Sequence, residues 1–319
     1  MGLEKAAKIN AVNRFKAKFK NFKRYRVLIL MALPGFLYLL INNYVPMFGI
    51  VIAFKDINFT KGILASDWSG LKNFEYLFKT RDAYIILRNT ILYNVTFIVL
   101  TTVVAITLAI LLNEVKNKYL SRVYQSIVLL PFLISMVIVG YLVLAFLNVD
   151  NGFVNKSILP VLGIEPISWY SVPKYWPFIL TIVKIWNTAG SLCVIYLAAI
   201  IGIDHEYYEA AKLDGASKLQ QIISITIPLI SPVIVIMTLL AIGRILYADF
   251  GLFYQVPLDS GILQPTTNVI DTYVYRALIK LGDIGMSSAA GLFQSVVGFL
   301  LVIVSNYIVR RIDPDKALF

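Results

Sequence analysis

The sequence holds a single cysteine, Cys193, and a single histidine, His205. One cysteine excludes a disulfide within the chain. One histidine with no cysteine beside it excludes a His/Cys metal site, so no metal is expected. His205 reads as a solvated loop residue and Cys193 as a small packing residue. Charge is also scarce, at 15% of residues, where a soluble domain carries about 25%. Acids are the rarer sign, 18 against 29 bases, for a net charge of +11. No GxxxxGK[ST] segment occurs, which excludes the phosphate-cradling loop of a nucleotide hydrolase. There is no internal repeat, no buried carboxylate at the centre of an apolar run and no Ser–His pair or His/Asp/Glu cluster. These absences tell against a secondary carrier and against a membrane enzyme.

What is abundant is apolar surface. Hydrophobic residues make up 59% of the 319, and the mean hydropathy is +0.76. Several apolar runs exceed the roughly 20 residues that cross a bilayer as a helix. Only closed backbone hydrogen bonding survives in lipid. The expectation is an all-α, polytopic membrane protein with six transmembrane helices, at about 27–54, 88–112, 123–147, 177–202, 225–248 and 288–309. The first is expected to bend or break near Pro46, which removes a backbone donor.

The positive charge lies beside these runs, where topology and anionic lipid explain it without nucleic acid. Residues 1–26 carry nine bases against Glu4. They lack a cleavage pattern and are read as a basic cytoplasmic tail that fixes orientation. A second reading lays this tail on the membrane, with Phe15, Phe19 and Phe22 dipping in. Lys116, Lys118 and Arg122 follow the second run, and Arg310, Arg311 and Lys316 follow the last. With six spans all three groups share one face, which the positive-inside rule makes cytoplasmic. The chain then divides into the tail 1–26, a transmembrane domain 27–310 and a cytoplasmic tail 311–319, in a cell membrane with both termini inside.

On the opposite side, residues 55–87 place Leu71, Phe74, Leu77 and Phe78 at helical spacing, which predicts a short amphipathic helix. Residues 148–176 are rich in Gly, Pro, Trp and Tyr, as interfacial loops are. Residues 249–287 contain a second amphipathic piece, VIDTYVYRALI.

The longest polar insertion on the cytoplasmic side joins the fourth and fifth runs. Asp204 to Ser224 reads as a helix–turn–helix. Asp204 is the expected N-cap, with Glu206 and Glu209 in the first turns, where negative charge suits the helix dipole. Ala210 and Ala211 allow close approach of another surface. Gly215 reverses the chain in a left-handed conformation. Leu219, Ile222 and Ile223 form an apolar stripe, and Pro228 sits early in the next span.

The pattern Glu209-Ala210-Ala211, three residues, Gly215, nine residues, Ile225-x-Ile227-Pro228 resembles the signature loop of the permease subunits of binding-protein-dependent ABC importers. Ile227 stands where the pattern usually has leucine. The likeness extends over most of the chain. Through GLKNFEYLF, Asn89-Thr90, YLAAIIGID, ADFGLFYQVP, VIDTYVYRAL, GDIGMSSAAG and RRIDPDKALF, it is similar to the carbohydrate-uptake permeases, in particular those for complex or polysaccharide-derived sugars. This resemblance implies the type I importer permease fold and a partner set: a second homologous permease in a heterodimer, two ATPase subunits and an extracytoplasmic solute-binding protein. It implies ATP and Mg on the ATPase subunits and no cofactor on this chain. It makes Glu209, Ala210, Ala211, Asp214, Gly215 and Pro228 the coupling residues, with the helix docked in a cleft of the ATPase. Amino-acid and peptide permeases share the same loop, and a non-sugar cargo is the alternative.

Candidates for the substrate path are polar residues inside spans, which are expensive there. In the fourth span Lys184, Asn187 and Ser191 share a helix face, flanked by Trp186 and Tyr196; a sugar needs donors beside an aromatic platform. In the second, Thr90, Asn94 and Thr101 share a face with Phe97. In the sixth, Gly291, Gln294, Ser295 and Gly298 read as close helix packing. Lys184 either snorkels to the outer interface or lines the path. Arg244 either pairs with Asp249, at a spacing of five that faces poorly, or lines the path. If both bases face the path, a uronic-acid-containing oligosaccharide becomes the expected cargo.

Overall fold

The computed structural model describes residues 25–79 and 81–318. The basic tail expected over 1–26 lies outside the described residues except for its last two. Among the described residues, five helices are long and apolar enough to cross a membrane, and a bent pair makes a sixth if it counts as one span.

The first spanning helix begins as α1, Arg26–Leu39. It continues as a π segment over Leu40–Tyr44 and ends as a 3-10 helix over Phe48–Phe54. The expected break at Pro46 is therefore a change of helix type, with the backbone helical throughout. Nothing between Arg26 and Met47 is buried. A two-residue antiparallel ribbon, β1 Lys55–Asp56 and β2 Asp67–Trp68, follows and had no counterpart in the sequence pattern. Buried Lys55 holds it closed, donating from Nζ to the Leu64 carbonyl at 2.6 Å. The expected amphipathic helix is α2, Lys72–Lys79. Its Phe74 packs on Phe54, and Phe78 meets Phe293 edge-on at 5.5 Å.

The centre of the fold is the pair α3, Arg81–Asn113, and α6, Trp176–Ile201. Toward one end they bury Tyr93, Phe97, Trp176 and Leu180 against Leu252 and Phe253. Toward the other they bury Ala105, Ala109, Cys193, Tyr196 and Ile200 against Ile230. Cys193 is thus a packing residue, as its sequence context suggested.

The expected third span, 123–147, is not one helix. α4, Lys118–Leu133, and α5, Met136–Leu147, meet at 97° across Ile134 and Ser135, both extended. Pro131 lies in the last turn of α4, and its carbonyl accepts the Asn187 amide at 2.7 Å. Freed backbone groups at a break in a span need such a partner. α6 approaches α4 so closely that a Cβ on Gly190 would stand 1.9 Å from the Val128 carbonyl oxygen.

After α6 come α7, His205–Leu213, and α8, Lys218–Gln221. A π segment over Ile222–Thr226 then runs without interruption into α9, Ile227–Ile242. The fifth span thus starts at Lys218 and ends at Ile242, six residues short of the expected 248. Gly243 follows, and a Cβ on Gly298 would fall 2.4 Å from its carbonyl oxygen. Of the small stripe on the last helix, α12 Ile284–Ile312, Gln294 and Gly298 are therefore packed as expected, whereas Gly291 has open space beside it and Ser295 is exposed. Between α9 and α12 lie α10, Phe250–Gln255, and α11, Ile270–Arg276. α11 is the second amphipathic piece, but Ile270 and Thr272 are fully buried, so it is part of the core.

Candidate functional site

The loop from Asp204 to Pro228 folds as the helix–turn–helix that its residues predict. Asp204 Oδ1 accepts the Glu206 amide at 3.1 Å and caps α7. The far end closes with two paired bonds, Ala216 N–H to Ala211 O at 2.8 Å and Gly215 N–H to Lys212 O at 3.1 Å. This is a Schellman cap, which needs a left-handed residue at the position Gly215 holds, with φ +79°. The spacing from Ala211 to Gly215 is thus the spacing of the cap itself. Ser217 then opens α8 through a capping box with Gln220.

Outward, α7 presents exposed Glu206, Tyr207, Glu209, Ala210 and Leu213, the last 90% exposed. Inward, the Tyr208 hydroxyl lies 2.9 Å from Thr226 Oγ1, and Lys218 reaches Glu114 at 2.8 Å. The loop is tied to the spanning helix and to the end of α3, while one face stays free. Pro228 occupies the second position of α9, where a helix tolerates proline, but the helix enters it through the π segment instead of starting there. The Tyr208–Thr226 link was missed in sequence, because two hydroxyls 18 residues apart share no periodic signal.

Toward the other end of α9, a cavity of about 320 Å³ opens between α3, α6 and α9. Its lining includes Asn94, Thr101, Lys184, Thr188, Tyr196 and Arg244. Lys184 Nζ is paired with Asp249 Oδ2 at 2.8 Å, and Asp249 also caps α10 by accepting the Leu252 amide at 3.1 Å. Arg244 therefore does not pair with Asp249. It sits in the turn after α9 and has no carboxylate within ion-pair distance among the described residues. Asn94 fixes that turn, donating to the Ile245 carbonyl at 2.8 Å. Thr101 Oγ1 is buried without a hydrogen-bond partner.

The other path candidates are placed elsewhere. Asn187 is buried and committed to the Pro131 carbonyl, Ser191 donates to the Thr188 carbonyl at 2.8 Å, and Trp186 is half exposed away from the cavity. Thr90 bridges the Ile86 carbonyl and the Ile270 amide. Asp271 is a residue the sequence reading passed over. It accepts the Ala248 amide at 2.7 Å and the Gln294 amide at 3.3 Å on one oxygen, and so holds the turn that carries Arg244. Burial pushes its carboxyl above the ordinary value of 3.8, against those two hydrogen bonds.

No group of three or more metal-ligating side chains occurs among the described residues. A helix with an exposed face stands at one end, a continuous helical rod follows, and a largely apolar cavity with one cation unpaired among the described residues lies at the other.

Comparison with known proteins agrees with this geometry. The family model of the binding-protein-dependent transport system inner membrane component matches residues 102–314. The polygalacturonan/rhamnogalacturonan transport system permease protein of Bacillus subtilis is 38% identical over 306 residues, 93% of this chain and 94% of that one. The trehalose/maltose transport system permease protein of Thermococcus litoralis is 28% identical over 294 residues, 91% of this chain and 94% of that one. A solved structure of a bacterial ABC transporter involved in the import of the acidic polysaccharide alginate superposes with a TM-score of 0.85 at 33% identity, covering 93% of this chain and 99% of the other. A bacterial alginate ABC transporter in complex with alginate pentasaccharide-bound periplasmic protein gives a TM-score of 0.83 at 33% identity, covering 92% and 97%.

Proposed function

The chain belongs to the family of binding-protein-dependent transport system inner membrane components, and on that premise we propose that it carries oligosaccharides bearing carboxylates. It is a multi-pass permease subunit of a sugar-importing ABC transporter. The observation that supports an acidic cargo is Arg244. Asp249 neutralises Lys184, so the cavity keeps one guanidinium with no carboxylate partner among the described residues. A guanidinium binds a carboxylate through two parallel hydrogen bonds. The threonines deeper in the cavity offer hydroxyls to a sugar ring. The relatives named for polygalacturonan and alginate fit this reading.

α7 is the segment that docks on an ATPase subunit, with Glu209, Ala210, Ala211, Asp214 and Gly215 forming and closing it. ATP and Mg sit on two such subunits, since this chain has no segment to cradle phosphates. Movement of α7 passes through the Tyr208–Thr226 link and Pro228 into the helix Lys218–Ile242, about 37 Å of continuous rod. The end with Gly215 faces the cytoplasm together with both termini, as the basic flanks support. The other end meets the binding protein, and a second permease completes the path.

The test is uptake by the reconstituted transporter with its binding protein. Galacturonate oligosaccharides should enter at least tenfold faster than neutral ones of equal length. Arg244→Gln should remove that preference. Equal uptake of both classes by the unaltered protein would refute the acidic cargo.

A further inference from the structure

A second and larger hollow, of about 670 Å³, runs along the outer side of the α3–α6 pair. Its wall is largely apolar: Leu92 and Leu100 from α3, and Phe178, Ile182 and Ile185 from α6. Several of these are exposed, Phe178 by 71% and Ile182 by 66%. Such a wall suits hydrocarbon. One end is different. Arg88 stands there beside buried Asn89. Its Nε and one terminal nitrogen donate to Asn89 Oδ1, at 3.3 and 2.9 Å. The same terminal nitrogen reaches the Pro265 carbonyl at 3.4 Å, and the other makes no bond among the described residues. No carboxylate lies within ion-pair distance of Arg88 among the described residues. The guanidinium is held in place by neutral oxygens, with its charge unspent.

Length fixes the class of guest. At about 1.5 Å per residue, Arg88 and Leu100 are about 18 Å apart along α3. The hydrocarbon of one leaflet is about 15 Å deep, with a headgroup layer of several ångströms above it. Arg88 precedes the apolar run that starts at Ile91, which sets it at the depth of phosphates while Leu100 approaches the midplane. We propose that this groove seats one phospholipid, its acyl chain along Leu92, Leu100 and Ile182 and its anionic headgroup on Arg88.

The test uses the assembled transporter in nanodiscs, with phosphatidylglycerol and phosphatidylcholine as probes and native mass spectrometry as readout. After delipidation the unaltered protein should retain one phospholipid, with about a fivefold preference for phosphatidylglycerol. Arg88→Gln should keep the lipid and lose the preference, while Arg88→Lys should keep part of it. Thr96→Trp, which fills the groove, should abolish retention. Unchanged preference in Arg88→Gln, or unchanged retention in Thr96→Trp, overturns the proposal. A photo-crosslinking residue in place of Ile182 decides the occupant in an otherwise unaltered protein. A lipid adduct supports the site, and an adduct to a second permease subunit overturns it.

Discussion

Lys184 Nζ lies 2.8 Å from Asp249 Oδ2, and this one contact sets the charge of the cavity. It joins the middle of α6 to the residue that caps α10, across 65 positions of sequence. Both side chains are about three-quarters or more buried, so neither charge is well hydrated without the other. Asp249→Asn keeps the cap, because an asparagine oxygen accepts the Leu252 amide, but strands the ammonium. The expected loss is about 2 kcal/mol, between the values for exposed and fully buried pairs. Adding Lys184→Met should return most of it. A thermal-unfolding double-mutant cycle in detergent measures the coupling; additive losses would show that the pair does not interact.

Gly215 takes φ +79° at the position where α7 must stop. Gly215→Val should cost about 1–2 kcal/mol in the turn, because a side chain there meets the following carbonyl. The spans are untouched, so membrane insertion should equal that of the unaltered chain while uptake falls at least tenfold. Uptake at the original rate would separate this turn from coupling.

Gly190 has no room for a methyl group: its Cβ would come within 1.9 Å of the Val128 carbonyl oxygen. Gly190→Ala should push α4 from α6 and cost about 1–3 kcal/mol, as overpacking does. A melting temperature equal to that of the unaltered protein would mean the helices part freely there.

Asp271 lies outside the spanning helices, and its raised carboxyl gives a pH dependence with a definite sign. Below the ordinary value of 3.8 the group is neutral in folded and unfolded chains alike. As pH rises past that value the unfolded chain releases its proton first, so stability falls, and the loss is complete above the folded value. Asp271→Asn keeps an oxygen for the Ala248 and Gln294 amides and removes the buried charge. Its melting temperature should exceed that of the unaltered protein at pH 7, with the gap closing below pH 4. A gap that widens on acidification would reverse the assignment.

The spans were legible because lipid leaves a chain few choices, and apolar length reports on the bilayer directly. The helix–turn–helix from Asp204 was legible because a Schellman cap and an N-cap are local, with Ala211, Gly215 and Asp204 carrying them in sequence. What hydropathy does not encode is direction. The run 123–147 is apolar throughout, and nothing in its average distinguishes one helix from two at 97°. Pro131 and Ser135 were the local cues. The cavity was the least legible part. Asn187 has the residue type of a sugar ligand and spends it on the Pro131 carbonyl, while Asp249 looked like a partner for Arg244 and belongs to Lys184. Pairings across tens of residues have no period to read.

The π segment at Ile222–Thr226 has a consequence for phase. A π turn holds one residue more than an α turn, and one residue is about 100° of rotation around an α-helix. Everything from Ile227 onward is therefore turned by about a quarter of a circle relative to an uninterrupted helix begun at Lys218. Converting those five residues to plain α geometry at unchanged length would swing the far end of the rod and carry Arg244 away from the opening it now faces, whereas deleting one of them removes the surplus residue and leaves the phase as it is. The azimuth of that guanidinium is set in the first turns of the helix, at the opposite end from where it acts.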